Sequence, residues 1–216
     1  MTERGMGDME IFRPGGLELT QKAAEYIGLR QGHAVLDVGC GLGASLRFLK
    51  ESFGVEPHGV ELSAQTVRRA GETYIVRGDA ERLPFPDERF DVVLMECVLP
   101  LIREPSAALR ESARVLKGGG HLVVSAPGGE SVSSLTDRGR VSFDALSEEL
   151  CRLGFAVLLR EDESRLLRRF VAEVIFKYGS LDEYRAEAER TLGGPVLGCD
   201  MPKTGTGYEL LIARLT

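Results

Sequence analysis

A glycine-rich turn and two acidic residues are the positions whose types and spacing could bind a ligand. The turn, DVGCGLG from Asp37 to Gly43, directly follows an apolar segment, so its glycines let a ligand approach the backbone and the amides of the next helix. Glu61 ends the next apolar segment, where its carboxylate can accept hydrogen bonds from both hydroxyls of a ribose. Asp79 can accept from the amine of an adenine while the amide of Ala80 meets a ring nitrogen. Three carboxylates would then surround a cationic adenine nucleoside.

The same turn also satisfies the fingerprint of dinucleotide-binding proteins. The pattern GxGxxG/A is met by Gly39, Gly41 and Ala44, so a nicotinamide-dependent oxidoreductase is an alternative. The sequence after residue 125 does not have the pattern of the second mononucleotide-binding half of such an enzyme. Asp79, in addition, is placed where it could recognise an adenine base. The nicotinamide alternative is therefore the weaker of the two.

The elements that must position these residues alternate between short apolar runs and amphipathic stretches from residue 33 to 125. This arrangement predicts βαβ units and a largely parallel sheet that is covered on both faces. The predicted strands are HAVLDVG (33–39), GVEPHGVEL (54–62), TYIVRGDA (73–80), FDVVLMECV (90–98) and HLVVSA (121–126). The predicted helices begin at Leu17, Ala44, Ser63 and Pro105, and the last of them runs through Leu116 until the glycines of 118–120 stop it.

The periodicity weakens in the last third of the chain. The predicted elements there are a helix over 143–153, a sixth strand over FAVLLRE (155–161), helical structure over 161–192, a loop over 193–207 and a last strand over YELLIARL (208–215). A capping box at Ser180–Glu183 opens the second helical segment. The connection between the last two strands is therefore far longer than a hairpin needs.

The composition excludes several classes of protein. Of 216 residues, 43% are hydrophobic and 28% are charged, which is typical of a globular chain and argues against a disordered or disulfide-scaffold protein. The net charge of −6, without a basic run, disfavours nucleic acid and anionic membranes as partners, and no apolar stretch approaches a bilayer span. The four cysteines are scattered and form no CxxC pair, so we expect no metal site and reduced thiols in a cytoplasmic protein.

Four motifs in this order resemble those of a known family, the class I S-adenosylmethionine-dependent methyltransferases. They are VLDVGCGLG (35–43), GVEL (59–62), GDAERLPFPDERFDVV (78–93) and RVLKGGGHLVVS (114–125). The branch is similar to quinone-biosynthesis C-methyltransferases and arsenite methyltransferases. The resemblance implies an α/β fold: a Rossmann-like, seven-stranded, mostly parallel sheet with helices on both faces and a helical insertion between the last two strands. It also implies a single domain over 1–216, with an N-terminal arm and helix (1–30) before the cofactor-binding core (31–125).

The resemblance further implies that S-adenosyl-L-methionine is the cofactor and S-adenosyl-L-homocysteine the product. The expected contacts are Asp37, Gly39 and Gly41 for the methionine portion, with Cys40 in the turn itself, Glu61 for the ribose, Leu62, Asp79 and Ala80 for the adenine, and Glu96 and Cys97 near the transferable methyl. The methyl acceptor is expected to be a small molecule. The atom that is methylated and the oligomeric state are left open.

The residues that would assist the transfer are less well defined by the sequence. Glu96 is an acid in an otherwise apolar strand, and burying it without a partner would be costly, which favours a role in the site. Cys97 and Cys199 are further candidates, because two thiolates would suit a soft acceptor. The three histidines lie at or near strand beginnings, away from the edge where ligands bind in open α/β sheets, so none is expected to be a general base.

The long connection predicts a lid. Residues 161–207, together with the arm from Arg13 to Gly16, are expected to close over the cofactor and exclude water from the reacting methyl. A helical pair that docks elsewhere for stability is the alternative. A protein that binds S-adenosylmethionine without turnover, as a sensor, is a third functional alternative, because cofactor and acceptor sites are separable.

Overall fold

A central sheet with helices on both faces forms the body of the molecule. The computed structural model describes residues 13–129, 134–137, 139–192 and 207–216. The helices are α1 (Gly16–Tyr26), α2 (Ala44–Phe53), α3 (Ala64–Ala70), α4 (Pro105–Val115), α5 (Phe143–Arg152), α6 (Ser164–Tyr178) and α7 (Leu181–Leu192), with a 3-10 turn at Leu99–Leu101. The strands are β1 (Ala34–Val38), β2 (Glu56–Glu61), β3 (Ile75–Arg77), β4 (Phe90–Glu96), β5 (Leu116–Gly128), β6 (Thr136–Asp137), β7 (Arg140–Val141), β8 (Phe155–Asp162) and β9 (Gly207–Leu215).

The main sheet combines five parallel strands with an antiparallel pair. Its order is β3-β2-β1-β4-β5-β9-β8, in which β9 runs antiparallel to both of its neighbours. The predicted sixth strand, β8, therefore runs in the same direction as the first five, and the last strand lies beside it. This order confirms the predicted fold class. It also brings the carboxyl ends of β1 to β4 to one edge, where open α/β sheets bind their ligands.

Strands β1 and β4 form the buried centre of the sheet. All five residues of β1 are buried, as expected for a strand covered on both faces. Successive side chains enter opposite layers: Leu36 and Val38 pack with α4 and α5, whereas Val35 packs with α1, α2 and α6. The two layers hold the sheet rigid, so the residues at its carboxyl edge are fixed from both sides.

One helix boundary was predicted wrongly. Helix α4 was expected to run through Leu116 and stop at the glycines of 118–120, but it ends one residue earlier and these glycines lie inside β5. Leu116 pairs with Phe90 of β4, so the sheet already holds the chain before the glycines are reached. Gly120 is required there for close packing, because a Cβ atom would lie 2.9 Å from a backbone carbonyl oxygen.

Two further differences concern the chain after β5. The two-residue strands β6 and β7 form a hairpin that pairs with the end of β5, and strands this short leave no apolar period in the sequence. Residues 161–162 end β8 instead of starting a helix. The carboxylate of Asp162 accepts from the N–H of Ser164 at 2.8 Å, which satisfies an amide at the start of α6.

Two kinds of feature are missing from the described residues. Across 13–129, 134–137, 139–192 and 207–216, no helix combines the length and the apolar character needed to cross a bilayer. Over the same ranges, no three or more His, Cys, Asp and Glu side chains are grouped so that they could hold a metal ion.

Candidate functional site

The glycine turn after β1 borders an open space at the carboxyl edge. Gly39 and Gly41 have φ angles of 73° and 55°, in the region that L side chains rarely adopt. A Cβ atom on Gly39 would lie 2.4 Å from Cγ2 of Val98, whereas one on Gly41 would meet nothing within 4 Å. Gly39 is therefore required by packing, and Gly41 faces the space that a ligand would enter.

Glu61, the last residue of β2, closes one side of this space. Its Oε2 accepts from the N–H of Gly41 at 3.2 Å, and its Oε1 accepts from the N–H of Ser63 at 2.9 Å. Each carboxylate oxygen can accept two hydrogen bonds, so both retain capacity for a ligand. The two backbone bonds hold the carboxylate at the end of β2, beside the glycine turn.

Asp79 and Ala80 lie just beyond β3, at the neighbouring strand end. Oδ1 of Asp79 accepts from the N–H of Glu81 at 3.0 Å, and its backbone carbonyl accepts from the N–H of Arg82 at 3.0 Å, so a tight turn holds the carboxylate at the edge. Leu62, which directly follows the neighbouring strand β2, is 60% exposed. Covering this leucine with a flat apolar ring would be favourable.

Asp37 is a buried carboxyl at the centre of the edge, with 4% of its surface exposed. Burial raises its pKa well above the usual range, the negative charge of Glu96 raises it further, Arg13 opposes these effects and Glu61 adds to them. A cationic ligand group beside Asp37 would favour its charged form. The position therefore suits an ammonium group.

Cys40 packs inward although it belongs to the turn. A Cβ atom on Gly59 would lie 2.7 Å from its Sγ, so the thiol fills the space that this glycine leaves. Burial raises the pKa of Cys40, and the charges of Asp37 and Glu61 raise it further. Cys40 is therefore a neutral packing residue.

A buried ion pair joins the N-terminal arm to the end of β4. Nη2 of Arg13 donates to Oε2 of Glu96 at 2.7 Å, and the two side chains are 11% and 4% exposed. The hydroxyl of Thr20 donates to Oε1 of Glu96 at 2.9 Å, and the hydroxyl of Ser45 donates to Oε2 at 3.1 Å. Both oxygens of Glu96 are thus engaged by protein donors, which explains how an acid is accommodated in an apolar strand.

Cys97, directly after β4, has a φ of 58°, which is uncommon for a residue other than glycine. Its N–H donates to the carbonyl oxygen of Ser125 at 2.7 Å, and its Sγ lies 3.0 Å from the hydroxyl of Tyr208. That hydroxyl donates to Oγ of Ser125 at 3.2 Å. Burial raises the pKa of Tyr208 well above its usual value, and Cys97 adds to this, so Tyr208 is a neutral phenol. The other candidate cysteine, Cys199, lies outside the described residues.

The structure thus brings most of the predicted residues to one edge and adds four that sequence reasoning missed. The missed residues are Thr20, Ser45, Ser125 and Tyr208. Each is a polar residue at a buried position of an apolar helix or strand face. A polar residue at such a position indicates that its side chain has a hydrogen-bond partner, but the sequence does not show which residue that partner is.

The histidines lie away from this edge. His33 and His121 line a cavity of about 200 Å³ with Asp91 and Lys117, near the amino end of the parallel strands. His58 lies in β2, and its ring packs edge-on against the ring of Phe90 in β4. These positions at or near the beginnings of strands are those that the sequence predicted for the three histidines.

Comparisons with known proteins agree with this geometry. A sequence model described as a methyltransferase domain matches residues 36–124. The ubiquinone/menaquinone biosynthesis C-methyltransferase UbiE of Ectopseudomonas mendocina is 36% identical over 155 residues, which are 63% of this chain and 60% of that protein. A phosphoethanolamine N-methyltransferase of Triticum aestivum is 29% identical over 74% of this chain and 36% of its own length. The chain spans about a third of the first curated relatives it matches.

Solved structures share the whole fold. The [4+2]-cyclase SpnF is 29% identical with a TM-score of 0.70, over 92% of this chain and 80% of that one. Haemonchus contortus phosphoethanolamine N-methyltransferase 2, in complex with S-adenosyl-L-methionine, has a TM-score of 0.72 at 18% identity, over 96% of this chain and 54% of that one. The predicted likeness to quinone-biosynthesis C-methyltransferases is confirmed by the UbiE relative. The likeness to arsenite methyltransferases stays a prediction.

The raised pKa of Asp37 generates a prediction about stability and pH. The pKa of Asp37 is near 3.8 in the unfolded chain and higher in the folded chain. At a pH between these two values, Asp37 is protonated in the folded chain and ionised in the unfolded chain. The folded state therefore becomes less stable as the pH rises from the pKa of Asp37 in the unfolded chain to its higher pKa in the folded chain. We expect Asp37→Asn, which cannot ionise, to unfold at a higher temperature than the wild type at pH 7.5.

Thermal unfolding of both proteins between pH 4.5 and 8 is the measurement. The difference in Tm between Asp37→Asn and the wild type should widen as the pH rises and then level off. In a domain of this size, a difference of about 1 kcal/mol in the free energy of unfolding shifts Tm by about 2–4 °C. A difference that is constant or narrows with pH would contradict the electrostatic assignment.

The two glycines of the turn form a matched pair for a second prediction. Alanine at either position has a positive φ, which costs roughly 1–2 kcal/mol. Gly39→Ala also clashes with Val98, so it should lower the Tm clearly more than Gly41→Ala, whose methyl projects into open space. Gly41→Ala should instead weaken binding of S-adenosylhomocysteine, measured by calorimetry. Equal unfolding temperatures for the two variants would show that the two positions do not differ in packing.

Proposed function

Because the chain belongs to the class I S-adenosylmethionine-dependent methyltransferases, we propose that it transfers the methyl group of S-adenosylmethionine to a small-molecule acceptor and releases S-adenosylhomocysteine. The observation that carries the proposal is the arrangement of Glu61 and Asp79 at the ends of adjacent parallel strands, beside a glycine turn that borders open space. The homologous enzymes named above act on small molecules, and one solved relative holds phosphomonomethylethanolamine.

The residues at the edge fit this cofactor. The open side of Gly41 accommodates the methionine portion, and the buried carboxyl of Asp37 suits its ammonium. Glu61 retains acceptor capacity for the ribose hydroxyls, and Asp79 does so for the adenine amine. Leu62 offers an exposed apolar surface to the base.

The bound cofactor would supply a methyl group on a sulfonium, which is already activated for in-line displacement. The chain then has to align the acceptor and exclude water. Glu96 is poorly suited to act as a general base, because three protein side chains donate to its two oxygens. Cys97 and Cys199 stay candidates on the acceptor side.

A cavity beside the arm is the proposed acceptor side. It has a volume of about 230 Å³ and lies between the arm and α6. Its walls are formed by Arg13, Gly15, Gly16, Leu166, Arg169, Phe170 and Glu173. Arg13 also contacts Ser45 at the start of α2, so the cavity adjoins the methionine end of the proposed cofactor site.

The helical connection is the proposed lid. With the boundaries corrected, it follows β8, and its described part is α6 and α7. Arg169 of α6 donates to Glu18 of α1 at 2.5 Å, and Arg69 of α3 donates to the carbonyl oxygen of Arg190 in α7 at 2.8 Å. The helical pair therefore contacts both α1, which follows the arm, and α3, which follows β2, and these contacts support a covering role.

A second candidate function is binding of S-adenosylmethionine without methyl transfer. It is favoured by one observation: SpnF, which shares the fold at 29% identity, is named as a [4+2]-cyclase. A fold of this kind therefore occurs in a protein whose named activity is not methyl transfer. The nicotinamide alternative has no such support, since every relative named above other than SpnF is a methyltransferase.

A cytoplasmic location is part of the proposal. Cys40 and Cys151 are thiols, and reduced cysteines are usual in that compartment.

Glu61 provides the test of cofactor binding. Glu61→Ala removes the acceptor for the ribose diol, and a hydrogen bond to a charged group contributes about 1.5–3 kcal/mol. Titration calorimetry with S-adenosylhomocysteine should therefore show affinity lower by about 10- to 150-fold. Glu56→Ala is the matched control, because Glu56 lies at the opposite end of the same strand. Equal losses in the two variants would remove Glu61 from the site.

Turnover separates the two candidate functions. The protein is incubated with methyl-labelled S-adenosylmethionine and a fractionated metabolite extract, and S-adenosylhomocysteine is quantified. Methyl transfer predicts label in a small molecule and its loss in Glu61→Ala. Tight binding of the cofactor with no labelled product from any fraction would favour the non-transferring candidate.

A further inference from the structure

The guanidinium of Arg13 is only partly used by the protein. Within the described residues, its hydrogen bonds all come from Nη2, which donates to the carbonyl of Gly16 and to the side chains of Thr20, Ser45 and Glu96 at 2.6–3.1 Å. Its Nε is buried and has no hydrogen-bond partner among the residues that the structure describes. Buried donors are nearly always satisfied, and one on a charged group is costly to leave unmade. The Nε group therefore indicates a missing acceptor.

The location of Arg13 indicates what that acceptor is. Ser45, which receives a hydrogen bond from Arg13, lies in the first turn of α2, directly after the glycine turn. The pKa of Arg13 is raised although burial lowers it, and Asp37, near the end of β1, is one of the neighbouring groups that raise it. The arm thus places a cation at the methionine end of the proposed cofactor site. That end carries an ammonium, for which Asp37 is suited, and a carboxylate, which no residue discussed above receives.

We propose that Arg13 binds the carboxylate of S-adenosylmethionine through its Nε–H, and that Glu96 is the positioning residue that holds Arg13 there. This inference rests on the proposed function. It replaces the expectation that Glu96 contacts the cofactor by an indirect role, in which Glu96, Thr20 and Ser45 engage Nη2 and leave the Nε–H for the ligand. Guanidinium groups bind carboxylates well because their donors are planar and fixed.

The charges balance when the ligand is included. The protein alone contributes the cation of Arg13 against the carboxyl groups of Glu96 and Asp37, and the pKa of Asp37 is raised. The ligand would add a sulfonium, an ammonium and a carboxylate. Three positive and three negative charges then share one buried region, so each has a counter-charge.

The test compares two ligands that differ in one group. S-Adenosylmethionine and its decarboxylated analogue share the sulfonium, the ammonium and the adenosine. Calorimetry of the wild type should show about 10- to 100-fold tighter binding of S-adenosylmethionine, the range for a hydrogen bond to a charged group. The double variant Arg13→Met/Glu96→Gln, which leaves no buried charge without its partner, should lose this preference and bind the two ligands with equal affinity.

Two variants test the specificity of the effect. Arg169→Met removes another guanidinium from the same cavity wall and should retain the wild-type preference. Glu96→Gln alone should reduce the preference several-fold without changing the affinity for 5′-methylthioadenosine, which lacks the amino-acid portion; a general loss of folding would weaken both. Circular dichroism confirms that each variant is folded.

The outcomes are distinct. Equal affinity of the wild type for the two ligands overturns the role of Arg13, as does a preference that survives in the double variant, while the proposed function stands. Failure of the wild type to bind either ligand overturns the proposed function and this inference together.

Discussion

The buried ion pair of Arg13 and Glu96 is the interaction on which the ligand edge depends. It joins residues 83 positions apart and ties the arm, α1 through Thr20, and α2 through Ser45 to the end of β4. Removing one partner of a buried pair leaves a charge without compensation and costs about 3–5 kcal/mol. The pair therefore fixes the arm against the sheet edge more firmly than apolar contacts of a short segment could.

The same pair makes the edge electrostatically strained in the absence of a cation. Burial and the charge of Glu96 keep the pKa of Asp37 high, and one guanidinium cannot neutralise two carboxylates. A stable protein without a ligand would place an amide or an apolar residue at position 37. Retaining an acid there lowers stability, which is the usual cost of a site arranged for a charged ligand.

How much the sequence could predict depended on how local each feature is. Glu61 and Asp79 were found because each directly follows an apolar strand, and parallel order brings such strand ends together. The partner of Glu96 was not found, because its need for a cation is evident from the strand but Arg13 carries no local pattern of its own. The glycines of 118–120 misled the prediction, since pairing with β4 outweighed their tendency to end a helix.

The same division between local and distant features separates cofactor binding, which relatives share, from the choice of acceptor, which can differ between them. The proposed adenosine end of the site consists of strand ends and the turns that follow them, and these lie within the matched residues 36–124. The proposed carboxylate contact and the acceptor cavity use Arg13 and α6, which lie outside that range. Loops and insertions on a rigid scaffold vary between relatives and carry specificity. We therefore expect the choice of acceptor to depend on the cavity between the arm and α6, and sequence likeness over the core does not transfer a substrate to this chain.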